Sequence, residues 1–192
     1  MRQSPFQVDI IKAIEVLRNG GIILYPTDTI WGLGADATNC SAVEKIFSIK
    51  QRDKSKSLII FIDNEDKLFD YVEEVPPLTW ELLKYADSPL TIVFPKGKNV
   101  CSSILAEDGS IAIRIPKDDF SHNLVRSFGK PIISTSANFS GKMPPVNFLD
   151  IDEDLIKKVD YVVKWKQSDR NRAKPSKIIK LGYNNEFKII RQ

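Results

Sequence analysis

Apolar residues in this chain recur either at the spacing of a helix face or in short unbroken runs. Residues 8–18 place Ile10, Ile14 and Leu17 on one helix face, and Asn19-Gly20-Gly21 follows as a C-terminal stop. The same spacing predicts a helix after a Ser41–Glu44 capping box, helices at 64–72 and 78–86, and one around His122 that ends at Gly129.

Short apolar runs bounded by turn residues predict the strands. The runs are GIILY (21–25), LIIFI (58–62), LTIVF (90–94), IAIRI (111–115), PIISTS (131–136), YVVKW, SKIIKL and FKIIR. A GYNNE turn joins the last two as a hairpin. Because strands and helices alternate irregularly, we predict one α/β domain over residues 1–192, with a mixed rather than a regular parallel sheet.

Composition narrows the class of protein. The 192 residues are 42% hydrophobic and 28% charged, which is typical of a soluble globular domain. The net charge of +3 is too small to indicate general coating by nucleic acid, although it allows a local basic patch. The first residues lack the features of a signal peptide, and no apolar run approaches the ~20 residues of a membrane span. We therefore expect a cytoplasmic protein without membrane contact.

The cysteines and the single histidine argue against several kinds of chemistry. Cys40 and Cys101 lie far apart and form no CxxC pair, which argues against a disulfide scaffold or a zinc cluster. His122 lies in a predicted amphipathic helix, where we expect it to be exposed. We therefore predict neither a histidine mechanism nor a histidine-bound metal.

The segment after the first predicted strand combines hydroxyls with glycines. In Tyr25-Pro26-Thr27-Asp28-Thr29-Ile30-Trp31-Gly32-Leu33-Gly34, two glycines allow close approach of backbone to a ligand. A solvated turn with capping threonines is the alternative. The GxGxxA pattern at 32–37 is separated from the strand by too many residues for a dinucleotide-binding fold. No Walker A sequence is present. Any ATP site must therefore be of another kind.

A cluster of cations follows the second predicted helix. Lys50, Arg52, Lys54 and Lys56 fall within one short segment. Cations at a helix end can simply compensate the helix dipole. A triphosphate, however, needs several converging positive groups, and arginine adds a planar fork.

Two predicted strands end in further polar groups. In residues 111–115 the isoleucines share one sheet face, which leaves Arg114 on the other face with Ala112. Arg114 is therefore suited to bind a carboxylate or to form a structural salt bridge. The run Ser134-Thr135-Ser136-Ala137-Asn138 ends another strand with a dense set of hydroxyls, although a plain strand-to-loop transition would explain some of them.

Six stretches, in order, resemble the YrdC-like threonylcarbamoyl-AMP synthase family. They are YPTDTIWGLGADA, IKQR, PLTIVF, SIAIRIP, PIISTSANFSG and PSKII followed by IIR. The resemblance implies a twisted α/β domain with a basic concave cavity that holds ATP and L-threonine. The chain departs from the pattern at Asp53 and Ser57, where relatives commonly carry proline, and at Phe61, where many carry histidine.

The resemblance also implies roles for individual residues. Lys50 and Arg52 would face the phosphates as the catalytic pair. L-threonine would be held by Thr29, Arg114, Ser134 and Ser176. The other ATP contacts would come from Lys56, Ser110, Ser136, Asn138 and Arg191.

The implied reaction joins bicarbonate to the threonine amine and transfers AMP to the carbamate, with release of pyrophosphate. Mg²⁺ would accompany the nucleotide without a dedicated protein site. A separate transferase would then pass the threonylcarbamoyl group to tRNA, and weak RNA binding would be compatible with this role. The alternatives are a carbamoyl-adenylate-forming module that acts on carbamoyl phosphate, and a non-catalytic protein that binds double-stranded RNA or the ribosome.

Overall fold

The computed structural model describes residues 5–53, 57–170, 174–184 and 186–192. Its helices are α1 (Pro5–Arg18), α2 (Cys40–Lys50), α3 (Leu68–Tyr71), α4 (Leu78–Tyr85), α5 (Asp119–Phe128) and α6 (Glu153–Ile156). Its strands are β1 (Ile23–Tyr25), β2 (Gly32–Gly34), β3 (Ile59–Phe61), β4 (Leu90–Phe94), β5 (Ile111–Arg114), β6 (Ile132–Ser136), β7 (Tyr161–Val162), β8 (Lys177–Leu181) and β9 (Phe187–Arg191).

The strands of the described residues form one sheet in the order β7-β1-β2-β6-β3-β5-β4-β8-β9. The pairs β1–β7, β3–β5 and β4–β8 are parallel, and the other neighbours are antiparallel. The prediction of an α/β fold with a mixed sheet is confirmed. Strands that are distant in sequence, such as β3 and β6, become neighbours in this order, and their ends therefore meet.

Successive side chains on a strand enter two different apolar cores. Leu24 and Ile60 lie in the larger core together with α2. The next residues, Tyr25 and Phe61, lie in the smaller core together with α1 and α5. Because strand side chains alternate with a period of two, helices cover both faces of the sheet.

The caps of α2 differ from the prediction at one end. The side chain of Asn39 accepts a hydrogen bond from the backbone N–H of Ala42, so Asn39 is the N-cap and the Ser41–Glu44 capping box is wrong. The helix ends at Gln51, which has a left-handed φ of 51°. The prediction that α5 ends at Gly129 is confirmed, with a φ of 78° at that glycine.

The segment after β1, predicted as an ordered loop over residues 26–38, contains a strand. β2 runs antiparallel to both β1 and β6, with Gly34 opposite Ile23. A Cβ at Gly34 would lie 2.8 Å from Cε1 of Tyr25 and 2.9 Å from Cγ1 of Ile23. Close strand packing is therefore one reason for the glycines of this segment.

The structure contradicts the expectation of two separate cysteines. Cys40 and Cys101 form a disulfide, with their Cα atoms 5.1 Å apart across 61 residues of sequence. The backbone N–H of Cys101 donates to the carbonyl of Ala37, just before α2, and this bond brings the two cysteines together. Sequence separation alone could not show that contact.

Two features are absent from the described residues. These residues contain no helix that is long and apolar enough to cross a membrane. They also contain no group of three His, Cys, Asp or Glu side chains that could hold a metal ion.

We expect Gly34→Ala to lower the free energy of unfolding by about 1–3 kcal/mol, because the added methyl overlaps the buried side chains of β1. Denaturant unfolding followed by circular dichroism measures this change. Gly182→Ala is the control, since the atom nearest to its added Cβ would be Cβ of Glu186 at 3.3 Å, in a hairpin turn and not among buried side chains. Equal stability of the two variants would contradict the packing role of Gly34.

Candidate functional site

A cavity of about 330 Å³ opens where the ends of several strands meet. It is bounded by the segment before β2, by β3, by the inner ends of β5 and β6, and by the β8–β9 hairpin. Most of the residues singled out in the sequence line it: Thr29, Arg52, Arg114, Ser134, Ser136, Ser176 and Arg191. Apolar side chains complete its wall, among them Trp31, Val93, Ile178 and Ile190.

Arg114 is the most deeply buried cation of the cavity. Its side chain is 5% exposed, and its Nη2 donates to the carboxylate of Asp28 and, at 3.0 Å, to Oγ1 of Thr29. The guanidinium lies over the ring of Phe61, with 4.9 Å between its carbon and the ring centroid. Burial lowers the pKa of Arg114 to about 10, so the group remains charged at neutral pH.

The Nε donor of Arg114 differs from its Nη2 donor in having no partner in the part of the chain that the structure describes. This Nε is also buried. An unsatisfied buried donor is costly, and it commonly marks the position of an absent acceptor. Arg114 therefore forms a structural salt bridge, and its binding of a ligand carboxylate stays a prediction.

Hydrogen bonds between threonines shape the segment that contacts Arg114. Oγ1 of Thr27 donates to the carbonyl of Ile30 at 2.8 Å and accepts from the N–H of Thr29 at 3.0 Å. The two threonine hydroxyls are 3.0 Å apart. The segment is thus a fixed loop that holds the Thr29 hydroxyl against Arg114, and not a solvated turn.

Arg191 and Ser176 meet on the side of the cavity that the β8–β9 hairpin forms. Nε of Arg191 donates to the carbonyl of Ser176 at 2.7 Å, and its Nη2 lies 3.3 Å from Oγ of Ser176. That hydroxyl is also 2.8 Å from Oγ1 of Thr91, which is fully buried on β4. Arg191 is close enough to Arg114 for its charge to lower the pKa of Arg114.

Of the two cations of the 50–56 cluster that the structure describes, Arg52 is the one that lines the cavity. Its Nη2 donates to the carbonyl of Ser57 at 3.0 Å, and burial lowers its pKa. The predicted ATP ligand Lys56 lies outside the described residues.

Lys50 points elsewhere. Its side chain is 1% exposed, and its Nζ donates to the carbonyls of Ser136 and, at 2.8 Å, of Asn138. Burial, with a smaller effect of the nearby Arg52 charge, lowers the pKa of Lys50 to about 7. Lys50 therefore anchors the loop after β6 to α2, and it is not among the residues that line the cavity.

Two other predicted ATP ligands also lie outside the cavity lining. The side-chain nitrogen of Asn138 donates to the carbonyls of Phe139 and Lys142, at 2.9 and 2.8 Å. Ser110 is buried, and its N–H donates to the carboxylate of Asp108 at 3.0 Å. In the structure both residues take part in hydrogen bonds within their own loops.

Sequence reasoning missed two residues that organise the cavity. Asp28 was treated as one polar residue of a loop, yet it pairs with Arg114. Thr91 was included in an apolar strand, yet it is paired in register with Arg114 and contacts Ser176. A polar residue within the run LTIVF was the signal for Thr91, whereas Asp28 had no signal beyond its place between two threonines.

Comparison with known proteins connects this cavity to a family. The family model Sua5/YciO/YrdC, described as telomere recombination, matches residues 15–192. A threonylcarbamoyl-AMP synthase of Pseudoalteromonas translucida (strain TAC 125) is 34% identical over 160 residues, which is 82% of this chain and 86% of that protein.

Solved structures show the same fold. The E. coli YciO structure superposes with a TM-score of 0.83 at 25% identity, over 97% of this chain and 89% of that chain. P. abyssi Sua5 complexed with L-threonine superposes with a TM-score of 0.81 at 30% identity, over 94% of this chain. The present chain covers 52% of that Sua5 chain, about half its length.

The buried amine of Lys50 predicts a pH dependence of stability. Its pKa is about 7 in the folded protein against an ordinary value of 10.5, so between these values the unfolded chain binds more protons. The penalty of burying the charge is present below pH 7 and is relieved as the pH rises. As the pH rises, the free energy of unfolding of the wild type should therefore increase relative to that of Lys50→Met, by at most about 1.4 kcal/mol per pH unit.

Denaturant titrations of both proteins at pH values of about 6.5, 8 and 9.5 measure the difference. Lys67→Met, at an exposed position, controls for the loss of a surface amine. A difference between wild type and Lys50→Met that stays constant with pH would contradict the lowered pKa.

Proposed function

The chain belongs to the Sua5/YciO/YrdC family, and from this premise we propose that it is a threonylcarbamoyl-AMP synthase. As a nucleotidyltransferase it would condense L-threonine, bicarbonate and ATP to threonylcarbamoyl-AMP and pyrophosphate. The observation that carries the proposal is one cavity in which Arg114 offers an unpaired Nε and in which Arg52 and Arg191 supply further cations. The similarity to a curated enzyme of this name supports it.

The amino acid is proposed to bind at Arg114. A carboxylate would satisfy the buried Nε of Arg114, and charge-assisted bonds of this kind are stronger than neutral ones. Thr29, Ser134 and Ser176 surround this end of the cavity with hydroxyls. The complex of P. abyssi Sua5 with L-threonine supports the choice of ligand.

The nucleotide is proposed to bind toward Arg52, Arg191 and Ser136, with the predicted contribution of Lys56. A triphosphate requires several converging cations, which these residues would supply. Lys50 would act indirectly, because its ammonium holds the carbonyls of Ser136 and Asn138. Mg²⁺ would arrive on the phosphates, as is usual at nucleotide sites.

The chemistry requires little proton transfer from the protein. The threonine amine attacks bicarbonate to give a carbamate with loss of water, and a carbamate oxygen then attacks the α-phosphorus while pyrophosphate leaves. The protein is needed to orient the reactants, neutralise charge and exclude water. A cavity of arginines, hydroxyls and apolar side chains suits these tasks.

The product is an activated intermediate. We propose that a separate transferase moves the threonylcarbamoyl group to adenosine in tRNA, and that both proteins work in the cytoplasm. The rival function, double-stranded RNA or ribosome binding without catalysis, needs cations on an open surface. The burial of Arg114 and Lys50 gives that rival less support.

The purified protein should release pyrophosphate when ATP, Mg²⁺, threonine and bicarbonate are all present. Omission of threonine or bicarbonate should abolish the release, because the carbamate is the nucleophile. A coupled pyrophosphate assay, with mass spectrometry of the adenylate, measures both products. Release without bicarbonate would contradict the chemistry, and RNA binding without any release would favour the rival function.

Arg114→Ala should raise the threonine KM by roughly ten- to a hundredfold, because a charge-assisted contact contributes about 1.5–3 kcal/mol. The ATP KM should change less. Arg114→Lys should restore threonine binding only in part, since lysine lacks the planar fork. Arg126→Ala, on the exposed face of α5, is the matched control. An unchanged threonine KM in Arg114→Ala would exclude this role.

A further inference from the structure

Asp28 forms a buried ion pair with the arginine at the centre of the site. The side chains of Arg114 and Asp28 are 5% and 9% exposed. The second carboxylate oxygen of Asp28 accepts a hydrogen bond from the backbone N–H of Lys117 at 3.2 Å. Asp28 therefore joins the loop at residues 26–31, the threonine loop, to the segment after β5, and it cannot turn away from Arg114 without leaving that N–H.

The pair also fixes which edge of Arg114 faces a ligand. Nη2 is occupied by Asp28 and by Thr29, whose hydroxyl is 3.0 Å away. The ring of Phe61 covers one face of the guanidinium. Nε has no hydrogen-bond partner among the described residues. A ligand therefore meets a guanidinium whose orientation is already fixed and not a freely rotating cation.

The charges around Arg114 differ from those in the rest of the cavity. Besides Asp28, the carboxylate of Asp118 and the hydroxyl of Tyr25 lie near Arg114, and Arg191 is the nearby cation. Asp118 is the N-cap of α5, with one oxygen accepting from the N–H of Ser121. The two carboxylates therefore offset the charges of Arg114 and Arg191 at this end, whereas Arg52 adds a further cation to the cavity wall.

The two ligand types carry different charges. A free α-amino acid is a zwitterion with one carboxylate and one ammonium, whereas phosphate groups are purely anionic. A balanced pair of Arg114 and Asp28 complements a zwitterion, but an unpaired arginine in a low-dielectric pocket attracts any anion, and a multivalent one most strongly. A single cavity that binds both ligands has to keep phosphate away from the amino-acid end.

We propose that Asp28 is a specificity-determining residue that orients Arg114 and offsets its charge, so that this end of the cavity accepts an amino acid and rejects phosphate. The proposal rests on the proposed function, because it takes an amino acid and a nucleotide as the two ligands. Asp28 acts through Arg114 and is a positioning residue for the carboxylate contact. Specificity here comes from disfavouring the wrong ligand as well as from binding the right one.

The test is Asp28→Asn, which keeps the shape and an acceptor oxygen but removes the charge. Calorimetry measures the Kd of threonine at increasing concentrations of inorganic phosphate. In the wild type this Kd should not change with phosphate. In Asp28→Asn the Kd of threonine should be about tenfold higher without phosphate, and it should rise further in proportion to the phosphate added.

The effect of phosphate on threonine binding separates the proposal from its alternatives. If Asp28→Asn binds threonine more weakly but phosphate does not compete, Asp28 is only structural. If Asp28→Asn binds threonine more tightly, Asp28 competes with the threonine carboxylate for Arg114. Either outcome overturns the proposal. Threonine and phosphate are compared in one sample, so a misfolded fraction does not alter the result. Asp66→Asn, an exposed change of the same charge, should behave as the wild type.

The same experiment distinguishes failure of the underlying function. If the wild type binds no threonine, the proposed synthase activity fails, and the role of Asp28 fails with it. If the wild type binds threonine and Arg114→Ala does not, the amino-acid site stands, and Asp28→Asn alone decides the present proposal.

Discussion

The burial of cations is the constraint on which the cavity depends. Removing a charged side chain from water costs several kcal/mol unless fixed polar groups replace the water. Such groups are present here: the Asp28 carboxylate for the buried Arg114, two carbonyls for the buried Lys50, and the Ser57 carbonyl for the half-buried Arg52. Because the bonds of Arg114 and Lys50 join segments that are distant in sequence, satisfying these two cations also fixes the loops around the cavity.

The sheet order explains why those loops meet. β6 pairs with β2 on one side and with β3 on the other, so the threonine loop before β2 and the hydroxyl-rich end of β6 lie side by side. β5 lies next to β3 and brings Arg114 toward Thr29. None of these pairings is local in sequence. The cavity is thus a property of the mixed topology, and a regular parallel sheet with the same strands would separate its parts.

Local patterns were enough to predict most of the helices and strands. β4 has the bounds of the apolar run LTIVF, and Arg114 lies on the face that strand periodicity assigned to it. The pattern failed where tertiary contacts decide. β2 is short and rich in glycine, so nothing but its pairing with β1 and β6 makes it a strand. The disulfide of Cys40 and Cys101 likewise depends on a backbone bond between distant segments.

The cation cluster shows most clearly what a sequence pattern cannot decide. Lys50 and Arg52 are two residues apart, and residue type and spacing suit both to phosphate binding. Lys50, however, is the last residue of α2, where its side chain enters the protein and finds the carbonyls after β6. Gln51 then takes a left-handed conformation that redirects the backbone, and Arg52 emerges at the cavity wall. The change of backbone direction at Gln51 therefore makes Lys50 a structural anchor and Arg52 a candidate ligand contact.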